Sequence, residues 1–204
     1  MPEQHKYIDN PFYKGFYESE ELVNMGFRSV GKYVKIAKNC TIVGLENISL
    51  GNNIQIDEQV FIAANKGFLD IGDHVHIGGG SHLSCTAGIT ISDFCGLSQG
   101  VRIYSVTDDY TGYSLTNATV PERFKSVKVA PVNLCRHVLI GSGSVVLPGV
   151  TIGEGSAVGA LSFVSMSLDE WGVYFGCPAK RIKVRAKKLL EMETLLMSEE
   201  RCAD

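Results

Sequence analysis

Residues 140–164 read IGSGSVVLPGVTIGEGSAVGALSFV, and the spacing of their aliphatic side chains decides the fold. A branched aliphatic residue recurs at every sixth position of this stretch, at Ile140, Val146, Ile152, Val158 and Val164. A helix would repeat its apolar residues about every 3.6 positions, and a strand about every 2. A fixed unit of six instead indicates one short strand followed by one tight turn. Three such units form a triangular coil whose aliphatic side chains stack inside a solenoid.

The same period runs through the chain before this stretch, in groups that are separated by short inserts. The anchors of these groups are Val30, Ile36 and Ile42; Leu50, Ile56 and Ile62; Ile71, Ile77 and Leu83; and Ile91, Leu97 and Ile103. The inserts belong at the corners of the triangle, because an insertion inside a strand would break the ladder on both sides. The pattern stops at Ser105 and returns at Val132. A loop of that length without the repeat is usually functional or disordered, and its position between rigid coils favours a site-forming loop.

The flanking segments lack the six-residue period. Ser19–Gly26 begins with a capping residue and early acids and ends on glycine, which predicts a helix of about two turns. We therefore predict an N-terminal cap segment of residues 1–29 that covers the open end of the coil stack. The solenoid domain follows at residues 30–182, with the protruding loop at residues 106–131. Residues 183–204 are rich in helix formers with a loose apolar face and are predicted to form a C-terminal helix and tail.

Composition limits the classes of function that the chain can serve. It has 204 residues, 45% of them hydrophobic, and a formal net charge of −3, which argues against a nucleic-acid partner. No run of 18 apolar residues occurs, and the polar start MPEQHKYIDN does not resemble a signal peptide, so we expect a cytoplasmic protein without membrane insertion. Six cysteines without a C-x-x-C pair are expected to be reduced and structural.

The repeat resembles that of the hexapeptide-repeat acyltransferases, and it is most specific in IGSGSVVLPGVTIGEGSAVGA and in GCPAKRIK at residues 176–183. The resemblance covers roughly residues 27–185 and is closest to the sugar O-acetyltransferase branch. It implies an all-β fold, a left-handed parallel β-helix. It also implies acetyl-CoA as co-substrate, no required metal, and a homotrimer with active sites between subunits. The activity it implies is transfer of an acetyl group to a sugar hydroxyl.

The family's catalytic histidine is absent from its usual place. That position matches Asp108, in the sequence RIYSVTDDY. We infer that the imidazole has moved to the neighbouring coil, with His82 as general base and Asp108 or Asp109 orienting it, because a carboxylate fixes the tautomer of a catalytic histidine. Counting of the register puts these two side chains at opposite ends of equivalent faces, so they are expected to meet across a subunit interface. Asp109 and Tyr110 are the predicted substrate contacts.

For coenzyme A, the resemblance implies five residues. They are Ser142, Ala160, Ser165, Lys180 and Lys183. Small residues let the pantetheine arm approach the backbone, and the lysines are placed to hold the phosphates. Met166 departs from the family pattern, which often has lysine there.

Three alternatives to sugar O-acetylation stay open on the sequence. The first is an N-acetyltransferase that acts on a nucleotide-linked amino sugar, since nothing in the sequence distinguishes a hydroxyl from an amine acceptor. The second is a γ-carbonic-anhydrase-like zinc enzyme, whose pattern needs two histidines separated by four residues; His76 and His82 are separated by five. The third is a non-catalytic scaffold, favoured only by the missing histidine.

Overall fold

The computed structural model describes residues 10–203, in which the chain winds as a parallel β-solenoid of six complete coils. Residues 1–9 of the predicted cap lie outside the described part. Strand β1 (Phe16–Glu18) and helix α1 (Ser19–Leu22) precede the first coil. Each coil contributes one strand to each of three sheets, here called the first, second and third faces in chain order.

The strands of the coils are named in chain order. Coils 1 and 2 are β2 (Ser29–Val30), β3 (Val34–Ala37), β4 (Thr41–Val43), and β5 (Ile48–Leu50), β6 (Ile54–Ile56), β7 (Phe61–Ala63). Coils 3 and 4 are β8 (Leu69–Ile71), β9 (His76–Ile77), β10 (His82–Ser84), and β11 (Ile89–Ile91), β12 (Gly96–Leu97), β13 (Arg102–Tyr104). The loop follows with β14 (Val106–Thr107) and β15 (Lys128–Val129). Coils 5 and 6 are β16 (Val132–Leu134), β17 (Leu139–Ile140), β18 (Val145–Val146), and β19 (Thr151–Ile152), β20 (Ala157–Val158), β21 (Phe163–Val164). The chain ends with β22 (Gly172–Phe175), β23 (Lys180–Val184) and α2 (Leu189–Ala203).

The predicted anchors form the core in the predicted register. On the third face Ile62, Leu83 and Ile103 are partners on adjacent parallel strands, and none of the three is exposed to solvent. Neighbours in the strand point to the opposite side, so each anchor is flanked by outward side chains. The six-residue period therefore sets both the core and the outer surface.

The N-terminal segment differs from its prediction. The helix α1 has four residues instead of two turns, and its N-cap is Glu18, whose side chain forms a capping box with Glu21. Ser19 is occupied elsewhere: its hydroxyl donates to the Gly31 carbonyl at 2.9 Å and accepts from the Val34 N–H at 2.8 Å. Strand β1 pairs antiparallel with β3 and so covers the free edge of the second face. A cap over the whole coil end by residues 1–29 stays a prediction.

The helix predicted from residue 183 is wrong at its start. The chain first returns as β23, antiparallel to β22, because β22 leaves its outer edge unpaired. Helix α2 begins only at Leu189. Glu193 of this helix pairs with Arg136 and with the buried His137, and these contacts fix α2 against coil 5. Within the described residues, no helix is long and apolar enough to cross a membrane.

The loop is not structureless. It is closed at its root by the antiparallel pair of β14 and β15, and a short 3-10 turn occupies Glu122–Phe124. The loop leaves the solenoid directly after the third face of coil 4, so its root lies beside that face.

Candidate active site

The third face of coil 3 carries the histidine that the sequence selects. In β10, Leu83 points inward and is fully buried, so His82 and Ser84 point outward. Arg102 is the register partner of His82, and Tyr104 is the partner of Ser84. Within the described chain the imidazole nitrogens of His82 and the hydroxyls of Ser84 and Tyr104 have no hydrogen-bond partner. These polar groups are therefore open to a ligand or to a second subunit.

His82 is held by aromatic packing. Its ring stacks on Phe61 with centroids 4.6 Å apart and lies 5.5 Å from the ring of Tyr104. Burial lowers the pKa of His82, and the neighbouring charge of Arg102 lowers it further. The imidazole is thus neutral at physiological pH and able to accept a proton.

The structure does not bring His82 and Asp108 together within one chain. His82 begins its strand, whereas Asp108 lies exposed beyond the far end of the equivalent strand, just after β14. The two side chains form neither a hydrogen bond nor an ion pair with each other. A role for Asp108 in orienting His82 would therefore require the Asp108 of a second subunit.

Asp109, a predicted substrate contact, forms hydrogen bonds within its own loop. Its carboxylate accepts hydrogen bonds from the backbone N–H groups and the hydroxyls of both Thr111 and Ser114. These bonds lower the pKa of Asp109 to about 2. Both of its oxygens accept hydrogen bonds that shape the loop, and a contact from Asp109 to substrate stays a prediction. Tyr110 is 91% exposed, and a contact from it to a ligand or a second subunit stays a prediction.

A second histidine site was missed in the sequence. On the second face, His76 Nε2 lies 2.8 Å from Asp57 Oδ2, and Gln55 donates to the other oxygen of Asp57 at 2.8 Å. His76 and Asp57 are separated by one coil, and the length of a coil is the only signal that could have paired them. A carboxylate-bound histidine is a common form of general base, so this pair is a competitor to His82.

Three of the five predicted coenzyme A residues, Ser142, Ala160 and Lys180, lie along or beside one edge, the corner between the second and third faces; Lys183 lies further along β23, toward the start of the second face. Ser142 follows β17 there and donates to Gln99 at 3.3 Å, and Ala160 follows β20 one coil later. Lys180 and Lys183 lie on β23, opposite Phe175 and Val173 of the second face. Neither lysine forms an ion pair with a carboxylate of the described residues, so both ammonium groups are free to bind phosphate.

Ser165 lies apart from this edge. It follows β21 at the far end of the third face, whereas Ala160 precedes that strand. A single chain therefore does not assemble the whole predicted set around one groove. No group of three or more His, Cys, Asp or Glu side chains in the described range is arranged to bind a metal ion.

A scan against models of protein families gives no match. The chain is 42% identical over 175 residues to the dTDP-4-amino-4,6-dideoxy-D-glucose acyltransferase of Escherichia coli, a match that covers 86% of this chain and 91% of that protein. The crystal structure of AntD, an N-acyltransferase from Bacillus cereus, in complex with dTDP and 3-hydroxybutyryl-CoA superposes with a TM-score of 0.88 at 40% identity, covering 92% and 99% of the two chains.

A maltose O-acetyltransferase from Clostridium difficile shares the fold more distantly, with a TM-score of 0.54 at 23% identity over 82% of this chain and 74% of that one. The six-residue repeat, the triangular coils and the near-complete match to an acyltransferase agree with one another. The chain belongs to the hexapeptide-repeat acyltransferases of the left-handed β-helix fold.

Proposed function

We propose that this protein is an acyl-CoA-dependent N-acyltransferase that acts on the amino group of a nucleotide-linked sugar. The observation that carries the proposal is the similarity over nearly the whole chain to two acyltransferases. One of them is named for a dTDP-linked amino sugar. The other is an N-acyltransferase that was solved with dTDP and an acyl-CoA. This favours the amine over the sugar hydroxyl that the sequence first suggested.

The geometry fits an amine acceptor. A hydroxyl is a weak nucleophile until a base removes its proton, whereas a neutral amine attacks a thioester directly. Where the resemblance to the O-acetyltransferase branch implies a catalytic histidine, this chain has Asp108. His82, with its lowered pKa, is a weak base that suffices for the proton an amine loses on acylation.

The proposed reaction takes place on the third face of coil 3. The amine nitrogen attacks the thioester carbonyl carbon, the carbon–sulfur bond breaks, and His82 takes the proton from nitrogen. The proton passes to the departing thiolate, so that an amide and free coenzyme A result. The open hydroxyl of Ser84 is placed to donate a hydrogen bond to the oxyanion or to the sugar.

The proposed track for acyl-CoA follows the corner that carries Ser142 and Ala160, with its phosphates at Lys180 and Lys183. Ser165, and Asp108 as a partner of His82, would come from a second subunit. We therefore propose a homotrimer whose active sites lie between subunits, which is also the arrangement implied by the family resemblance.

The test is an acceptor panel assayed by release of free coenzyme A. It compares dTDP-4-amino-4,6-dideoxyglucose, the matching dTDP-linked sugar with a hydroxyl in place of the amine, and maltose. Each acceptor is tried with acetyl-CoA and with 3-hydroxybutyryl-CoA as donor. Turnover that requires the amine supports the proposal. Equal or faster turnover with the hydroxyl acceptors would return the protein to the O-acetyltransferase class.

A further inference from the structure

The third face carries one permanent charge on its outer surface. The outward side chains of its six strands are those of Thr41, Val43, Phe61, Ala63, His82, Ser84, Arg102, Tyr104, Val145 and Phe163. Apart from Arg102, all of them are apolar, aromatic or uncharged when His82 is neutral. A guanidinium at the centre of such a face is unusual. If a ligand or a second subunit covered the face, the charge of Arg102 would lose its water and would need an anionic partner.

Arg102 has no anionic partner among residues 10–203. Its guanidinium forms no hydrogen bond and no ion pair with any described residue, although the exposed arginines Arg28 and Arg136 both pair with carboxylates. The charge of Arg102 is nevertheless felt locally, since it lowers the pKa of His82 on the adjacent strand. Arg102 is thus a cation without a partner among the described residues. Its strand is adjacent to that of the candidate base His82, and adjacent strands are about 4.8 Å apart.

We propose that Arg102 binds the diphosphate of the nucleotide-linked amino sugar, an inference that rests on the proposed function. A guanidinium matches phosphate oxygens with two parallel hydrogen bonds, and such charge-assisted bonds are stronger than neutral ones. The diphosphate is attached directly to the sugar. Its binding on coil 4 therefore places the sugar ring over the neighbouring His82 and Ser84 on coil 3, where the amine is to react.

This placement separates the two substrates. The nucleotide sugar occupies the third face, and the acyl-CoA follows the corner that holds Ser142 and Ala160. Arg102 should then affect the acceptor and leave the donor unaffected, which a general loss of structure would not do.

The experiment measures binding of dTDP, thymidine and coenzyme A by calorimetry to the full-length protein and to Arg102→Gln, Arg102→Lys and Arg201→Gln. Arg201 is the matched control, because it is an exposed arginine on α2 whose side chain bonds only to the Met197 carbonyl. We expect Arg102→Gln to weaken dTDP binding about 10- to 100-fold, the usual effect of losing a charged hydrogen-bonding partner, and Arg102→Lys to recover part of the loss. Coenzyme A affinity should be unchanged in all variants.

Thymidine shows whether the phosphate is what Arg102 recognises. The native protein should prefer dTDP to thymidine, and Arg102→Gln should lose most of that preference. If the native protein binds dTDP and Arg102→Gln binds it equally well, Arg102 is not the diphosphate contact, and the proposed function still stands. If the native protein acylates an amino sugar without a nucleotide and does not bind dTDP, the nucleotide part of the proposed function is wrong and this inference with it.

Discussion

The imidazole of His82 lies against Phe61, close to Tyr104 and one strand from Arg102. This environment determines the pKa of the His82 imidazole. Burial against the rings removes water from the charged form, and the guanidinium repels it, so the pKa falls. A base with a lowered pKa stays unprotonated as the pH falls, at the cost of a weaker attraction for the proton it must take.

The first prediction concerns this titration. The NMR midpoint of the His82 imidazole should lie below that of a histidine in an unstructured peptide, because the folded protein disfavours the charged form. In Arg102→Gln the midpoint should rise, since one of the two causes is removed. A midpoint at or above the peptide value would show that neither burial nor Arg102 acts on the ring as described.

The second prediction compares the two histidine sites. His82→Ala should lower kcat by about 10²–10⁴, the usual contribution of a positioned acid–base group, while acyl-CoA still binds. His76→Ala is the matched control, because His76 is the exposed histidine of the same coil on the second face. It should leave kcat within a few-fold of the native value, measured in steady state with a saturating amino-sugar nucleotide.

The reverse result would identify the other base. If His76→Ala abolishes turnover and His82→Ala does not, the reaction belongs to the pair of His76 and Asp57 on the second face. Asp57→Asn should then also lower kcat, by less than His76→Ala, because it leaves the imidazole in place without its orienting charge.

At the scale of elements, β23 brings cationic side chains to the end of the coenzyme A corner. The strand pairs with β22, and this pairing fixes Lys180 opposite Phe175. Lys180→Ala should raise the KM for acyl-CoA about tenfold with little change in kcat, because the lysine contacts a phosphate remote from the reacting carbonyl. Lys188→Ala, at an exposed position just before α2, is the control and should leave both constants unchanged. A large loss of kcat at unchanged KM would contradict this role of Lys180.

The coils could be predicted from the sequence because a single residue type recurs at a single spacing. Ile140, Val146 and Ile152 are fully buried, as the six-residue period predicts, because an aliphatic side chain at an inward position can pack only against the core. The edge strands β1 and β23 were not predicted. They form because β3 of the first coil and β22 have unpaired edges. An unpaired edge arises only when the sheet is assembled, so it has no periodic pattern in the sequence by which it could be predicted.

The site was only partly predictable for a similar reason. Ser142 and Ala160 were named because the family resemblance implies them, and their common edge became visible only in the assembled coils. Contacts between coils depend on the length of each turn, and the pairing of His76 with Asp57 is such a contact. The hydrogen bonds of Asp109 to Thr111 and Ser114 depend on the local turn geometry, which the residue type at position 109 does not reveal.

At the scale of the whole molecule, large apolar side chains are exposed at both ends of the third face. Leu161 and Phe175, beside the coenzyme A corner, are 77% and 54% exposed, and Met166, next to Ser165 at the far end of that face, is 72% exposed. Exposed apolar side chains of this size are what an interface between subunits would cover. The predicted coenzyme A residues also lie at two opposite ends of the third face. They could contact one coenzyme A molecule only if Ser165 came from a neighbouring subunit.

The fourth prediction is therefore an assembly. Sedimentation equilibrium at micromolar concentration should give three times the chain mass of 22.2 kDa, because a three-fold arrangement lets each copy complete its neighbour's site. Leu161→Asp should shift the mass toward the monomer and reduce activity in parallel, whereas Val23→Asp, at an exposed position of the N-terminal segment outside the third face, should do neither. A native protein that sediments as an active monomer would overturn the shared-site arrangement.

The proposed reaction joins an acyl group to nitrogen on a nucleotide-linked sugar, and the new bond can be observed directly. The protein is given dTDP-4-amino-4,6-dideoxyglucose labelled with ¹⁵N at the amine and acetyl-CoA labelled with ¹³C at the carbonyl. We expect a product whose carbonyl carbon shows a one-bond coupling to ¹⁵N and whose formation is lost in His82→Ala. A labelled carbonyl that is attached to the sugar without coupling to nitrogen would be an ester, and the protein would then be an O-acyltransferase.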